Sequence, residues 1–307
     1  MPLHPLLTAM LAKTVGLPAM NTLTPAIIRA TDTARYQTGV PPDEVHAVED
    51  RHIPGPRGAI RVRIYRPDAE AERPVTVFFH GSGFVICSIE THDAMCRQIC
   101  RRSGTVVVSV DYALAPENKF PAAPDDCLAA TRWVAEHASE FGGDPTRLAL
   151  AGDSAGGNLA TVTALRIRDE GGPKIQAQLL LYPVTDHYSV QRLSYTERGT
   201  GNGLTADGMI WFWNHYLNHP DEGAHPHASP IRADSLQGLP AAYVVTGEYD
   251  PLRDEGEDYA LRLRAAGVDV ELVRCADMNH GFLSWVGLID SSTVAMDAAC
   301  VWLKKTV

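Results

Sequence analysis

The sequence has no apolar run of about 18 residues, so nothing in it reads as a membrane span. Basic residues are in the minority, 27 Lys and Arg against 37 Asp and Glu. The resulting charge of -10 argues against nucleic acid or anionic lipid as a partner, because both need basic patches. Cysteine is sparse and unpatterned. Cys87, Cys96, Cys100, Cys127, Cys275 and Cys300 show no framework spacing, which predicts reduced, buried thiols in a cytoplasmic enzyme. The N-terminus lacks a basic stretch followed by an unbroken apolar one, so no secretion signal or anchor is expected. No internal repeat is visible.

What remains is an ordinary globular composition, 45% hydrophobic and 21% charged over 307 residues, enough for one large domain or one with an inserted subdomain. Near the start, Leu3, Leu6, Leu7, Met10 and Leu11 have helical spacing and predict an amphipathic helix resting on an apolar surface.

One stretch organises the rest. Leu148 to Ala151 is a short apolar run leading into Gly152-Asp153-Ser154-Ala155-Gly156, and a helix-compatible segment from Leu159 to Asp169 follows. Strand, tight turn and helix around G-x-S-x-G predict a nucleophile elbow, with Ser154 raised above the sheet and two glycines permitting close backbone approach. The helix start also directs N–H groups and a positive dipole end at an oxygen that becomes negative during reaction.

Strands and helices alternate around this turn. Ile60 to Tyr65 alternates like a half-exposed strand, while Val75 to Phe79 and Thr105 to Val110 are continuous apolar runs suited to a sheet covered on both faces. Asp125 to Phe141 reads as a helix, Ala177 to Tyr182 and Ala242 to Thr246 as strands, Glu255 to Ala266 as a helix, Val268 to Val273 as the last strand, and Val294 to Lys304 as the last helix. The pattern predicts an α/β layered fold, antiparallel early and parallel later. Between about Thr185 and Pro240 it breaks into polar loops around the aromatic segment Met209 to Leu217, predicting helices laid over the sheet.

A serine nucleophile needs a base and an acid. Asp250 follows the predicted strand ending at Thr246, and His280 follows the one ending at Val273. Both fall beyond strand ends, where such sheets gather reactive groups. In this reading His280 takes the Ser154 proton and Asp250 fixes the imidazole. Val75 to Phe79 runs into His80-Gly-Ser-Gly-Phe84, so the backbone N–H groups of Ser82, Gly83 and Ala155 are the expected oxyanion donors. Phe84, Trp211 and Phe282 are the expected substrate-pocket residues. His215, His219, His225 and His227 lack any partner spacing that would complete a zinc site, so neither metal nor cofactor is expected.

Taken together, His80-Gly-Ser-Gly-Phe84, Val108 to Glu117, Gly152 to Asn158, Asp250 to Gly256 and His280-Gly-Phe282 resemble the bacterial hormone-sensitive-lipase family of carboxylesterases. The resemblance spans roughly residues 40 to 305. It implies an α/β-hydrolase fold, a mostly parallel central sheet flanked by helices. Residues 45–184 and 241–307 would be the core, with 1–44 and 185–240 joining as a helical cap. It also implies hydrolysis of short- to medium-chain acyl esters without a cofactor, and allows a homodimer; an amidase or lipase on the same triad is the alternative, and a non-catalytic small-molecule receptor on the same fold is disfavoured by the presence of His280. Two positions depart from the family. Ser82 stands where glycine is usual, adding a Cβ to the oxyanion loop, and Ala113 stands where arginine is usual.

Overall fold

The computed structural model describes residues 1–35 and 39–307. Two short helices come first, α1 (Pro5–Ala12) and α2 (Pro25–Arg35). A hairpin of β1 (Ala47–Gly55) and β2 (Gly58–Arg66) leads to β3 (Arg73–Phe79), α3 (Asp93–Ser103) and β4 (Val106–Asp111). Then come α4 (Ala122–His137), β5 (Gly143–Asp153), α5 (Ala155–Glu170) and β6 (Ile175–Leu181). The stretch before the next strand holds α6 (Leu193–Arg198) and α7 (Ala206–Tyr216). The chain closes with β7 (Ala241–Tyr249), α8 (Arg253–Ala265), β8 (Val270–Asn279) and α9 (Asp290–Thr306).

The strands form one sheet ordered β1-β2-β4-β3-β5-β6-β7-β8. β1/β2 and β2/β4 are antiparallel; every later pairing is parallel. The side-chain period of two divides the apolar strands between two cores. Val75, Val77, Phe79, Leu148 and Leu150 face one layer, shared with Ala130 and Val134 of α4, Leu159 of α5 and Leu263 of α8. Phe78, Ala149, Ala151, Leu179 and Leu181 face the other, with Ile99 of α3 and Met296, Cys300 and Leu303 of α9. Burial on both faces is why these segments read as unbroken apolar runs. All six cysteines are free thiols, and all but Cys275 are buried.

Several boundaries differ from the sequence pattern. The segment expected as one helix to Phe141 is α4 followed by a 3₁₀ turn, Ala138–Phe141, ending at left-handed Gly142. The last strand runs six residues beyond Val273, to Asn279. Its polar second half shows no alternation because it lies at the sheet edge, pairing among the described residues only with β7, through a register shift near Gly247. The last helix begins at Asp290, ahead of the expected Val294. Ala113 is accommodated without an arginine: its N–H donates to Asp126 Oδ2 (2.9 Å), while Arg57 of the β1–β2 turn pairs with Asp126 Oδ1 (2.6 Å).

Candidate active site

Parallel strands leave their carboxyl ends along one edge, and the reactive groups gather there. Ser154 follows β5 directly and has φ 55° and ψ −117°, a conformation rare for a residue with a Cβ and costing on the order of 1–3 kcal/mol. The surroundings enforce it. Its N–H donates to the Leu181 carbonyl (2.8 Å), and its own carbonyl accepts from Val184 and Asn158 (both 3.1 Å). The flanking glycines are equally constrained. A Cβ on Gly156 would lie 1.8 Å from the Phe79 carbonyl oxygen, and one on Gly152 would lie 2.2 Å from the Gly156 carbonyl oxygen. The motif is thus required by the approach of the α5 N-terminus to the end of β3.

β7 and β8 deliver the partners. Asp250 follows β7 and is fully buried, with Oδ1 accepting the Leu252 N–H (2.8 Å). His280 follows β8. Its Nδ1 is 2.7 Å from Asp250 Oδ2 and its Nε2 is 2.9 Å from Ser154 Oγ. A carboxylate only accepts, so Nδ1 carries the proton and Nε2 is left to accept from the serine. Tyr182 holds the imidazole from the side by an edge contact, ring centres 4.9 Å apart.

The loop after β3 supplies the opposite wall. Ser82, Gly83 and Phe84 have φ of 83°, 63° and 65°, a left-handed run that turns the chain back over Ser154. Gly83 has no alternative, because the Phe212 ring lies where its Cβ would be. Asp153, the residue before the serine, accepts the Gly81 N–H (2.8 Å) and so ties this loop to the elbow. His92 Nε2 sits 3.3 Å from the same carboxylate. Burial pushes His80 down to about 4, and its Nδ1 lies 2.9 Å from the Gly81 carbonyl oxygen, which keeps this histidine neutral and organising the loop.

A cavity of about 670 Å³ opens above Ser154 and His280. Its walls are mainly apolar: Leu7, Met10 and Leu17 from the N-terminal segment, Met209, Phe212 and Trp213 from α7, and Phe84 and Trp285 from the body. Two expected pocket residues are not among them. Phe282 is fully buried beneath the site, packed on Tyr182 (5.4 Å), and Trp211 turns to the far side of α7, against His215 (4.2 Å). Phe212 and Trp213 do line it, and the spacing 209, 212, 213, 216 marks that inner face of α7. A second depression, about 610 Å³, is lined by Asp186, Arg192, Arg232 and Asp258. Those charges pair with one another and none of the three reactive residues borders it. Among the described residues no group of His, Cys, Asp and Glu is disposed to hold a metal ion.

By class, such a sheet with serine, imidazole and carboxylate in hydrogen-bonded series is that of a serine hydrolase. Residues 76–284 match the family described as having the α/β-hydrolase fold. The carboxylic ester hydrolase LipN of Mycobacterium tuberculosis is 46% identical over 252 residues, covering 80% of this chain and 67% of that protein. The ethyl acetate hydrolase of Pseudomonas putida is 35% identical over 257 residues, 81% of this chain and 80% of that one. Among solved structures, a hyperthermophilic esterase from the archaeon Pyrobaculum calidifontis superposes with a TM-score of 0.96 at 41% identity, covering 99% of both chains. The chain belongs to the α/β-hydrolase-fold family, in its hormone-sensitive-lipase-like branch.

Proposed function

We propose that the protein hydrolyses short- to medium-chain acyl esters through an acyl-enzyme formed on Ser154, with His280 as base and Asp250 as the orienting acid. It is a carboxylic ester hydrolase of the serine type. The observation that carries the assignment of residues is the continuous series Asp250, His280 and Ser154, at 2.7 Å and 2.9 Å, with Ser154 and His280 on the floor of an apolar cavity and Asp250 buried behind them.

Ser154 Oγ attacks the ester carbonyl carbon as its proton passes to His280 Nε2. Asp250, buried and already bonded to Nδ1, stabilises the imidazolium. The carbonyl oxygen becomes an oxyanion, held by the backbone N–H groups of Ser82, Gly83 and Ala155, the last sharpened by the α5 dipole. When the tetrahedral intermediate collapses, the alkoxide leaves with the proton from His280. Water then loses a proton to the same nitrogen, attacks the acyl carbonyl, and releases the carboxylic acid with Ser154 restored. No step calls for a metal or a cofactor.

The N-terminal segment (1–44, of which 36–38 lie outside the described residues) and the segment 185–240 act together as a cap over the core (45–184 and 241–307), a reading supported by cavity walls drawn from both. The outer edge of β8 is the surface through which two copies would pair, since among the described residues β8 bonds only to β7. A reducing, cytoplasmic setting suits six free thiols. Hydrolysis of 4-nitrophenyl esters from acetate to laurate, with and without a serine-directed phosphonate, tests the reading. Turnover falling off at the long chains and abolished by the phosphonate supports it; binding without turnover or labelling refutes it.

A further inference from the structure

One side chain of α2 makes four hydrogen bonds into the body of the protein. Arg29 Nε donates to the Val85 carbonyl (2.8 Å) and Nη2 to the Ala115 carbonyl (2.6 Å). Nη1 and Nη2 also clasp Glu117 through both of its carboxylate oxygens (2.9 Å each). Only the planar fork of a guanidinium can satisfy two carbonyls and a carboxylate from one position.

The two carbonyls belong to segments already joined to the oxyanion loop. Ala115 N–H donates to the Phe84 carbonyl (2.9 Å), and the Val85 and Ile86 N–H groups both donate to the Ser82 carbonyl (3.2 Å each). Arg29 therefore grips the loop one residue beyond the left-handed run Ser82, Gly83 and Phe84. Cys87, two residues further on, is left-handed as well, with φ 70°. Three of these four residues carry a Cβ, so the backbone is strained and keeps its shape only where its surroundings over-determine it. The ion pair itself is poorly placed to add stability, because Glu117 is 59% exposed and Arg29 28%. Its neighbour Ile28, 3% exposed, is buried in the core cluster that includes Phe84 and Val85 and can keep α2 docked without it. The guanidinium contributes geometry.

We propose that Arg29 is a positioning residue for ester hydrolysis: it holds the 82–87 loop so that the Ser82 and Gly83 amides point at the oxyanion. Seating the N-terminal helices and completing the oxyanion hole become one event. The proposal rests on the reading of those two amides as oxyanion donors.

The test compares full-length Arg29→Gln, Arg29→Lys and Glu117→Gln with the parent on 4-nitrophenyl butyrate and on a trifluoromethyl ketone that forms a tetrahedral adduct with the serine. Misaligned donors weaken binding to the transition state alone. Arg29→Gln should thus lower kcat about 10-fold with KM changed less than about 2-fold, and weaken the ketone by the same factor. Arg29→Lys should recover part of the loss, and Glu117→Gln, which spares both carbonyl bonds, should cost only about 2- to 3-fold. A rise in KM with kcat intact, or a fall in kcat without weaker ketone binding, overturns the proposal. If Arg29→Gln does not fold, unchanged kcat in both other variants overturns it as well. The underlying reading fails separately if Gly83→Ala, which displaces a donor without touching Arg29, leaves ketone affinity unchanged.

Discussion

The ring of Phe212 rests against Gly83 so closely that a Cβ added to the glycine would stand 2.1 Å from ring Cδ1. An aromatic side chain from α7 therefore packs against the very residue whose amide is read as an oxyanion donor. Gly83→Ala must push the loop away from Ser154 or displace the ring, and its φ of 63° disfavours alanine in any case. We expect kcat to fall about 10²-fold. Adding Phe212→Ala should restore part of that loss; a double variant no better than the single one would show that the ring is not the obstacle.

Neighbouring residues of α7 should behave in opposite ways. Phe212 borders the cavity and Trp211 does not. Phe212→Ala enlarges the space above the serine and should shift the preferred acyl chain toward longer esters, read from kcat/KM across the acetate-to-laurate series. Trp211→Ala should leave that profile unchanged and lower thermal stability, by roughly 3–5 kcal/mol if its packing is fully lost. A changed chain-length profile in Trp211→Ala would contradict the arrangement.

Asp250→Asn keeps the size of the side chain but turns an acceptor pair into an amide, so His280 loses both its fixed tautomer and its counter-charge. The expected cost in kcat is on the order of 10⁴-fold at neutral pH, with KM little changed. Steady-state kinetics settles it, and a loss below about 10-fold would mean that Asp250 does not orient the base.

Glu255 links stability to pH. Burial pushes its carboxyl up to about 8, against the pull of N–H donors from Thr185 and Asp186. A glutamate in the unfolded chain loses its proton near ~4.3, so between that value and about 8 the folded state holds a proton that the unfolded state has given up. Stability contributed by this group is complete below the lower value and is lost as pH rises through the upper. Glu255→Gln keeps the acceptor for both N–H groups and does not titrate. Its denaturation midpoint should gain on the parent between pH ~5 and pH ~8; parallel curves over that range would contradict the burial of a protonated carboxyl.

The elements that carry the site were legible because packing leaves their sequences little choice. Gly152 and Gly156 cannot bear a Cβ beside the end of β3, and Leu148 to Ala151 must be apolar on both faces. Asp250 and His280 could be located because each follows a strand. Other features depend on distance across the fold. Which aromatic of α7 meets the cavity is set by how that helix rotates onto the body, and adjacent residues differ by about 100°. Phe282, although next but one to His280, turns beneath it onto Tyr182. The bond from Asp153 to Gly81 joins residues 72 apart, and those from Arg29 span 56 to 88 positions, separations to which no local pattern is sensitive. The sequence pattern ends β8 at Val273, ahead of Asn279, because an edge strand with polar residues lacks the alternation by which strands are recognised.

The central claim is that one hydroxyl, that of Ser154, becomes acylated in every turnover. Mass spectrometry of the intact protein and its peptides after treatment with a serine-directed phosphonate tests it most directly. The account predicts a single adduct on the peptide containing Ser154, formed as activity disappears, and neither adduct nor appreciable turnover in Ser154→Ala. An adduct on another residue, or a Ser154→Ala protein that hydrolyses 4-nitrophenyl butyrate at the parent rate, would contradict it.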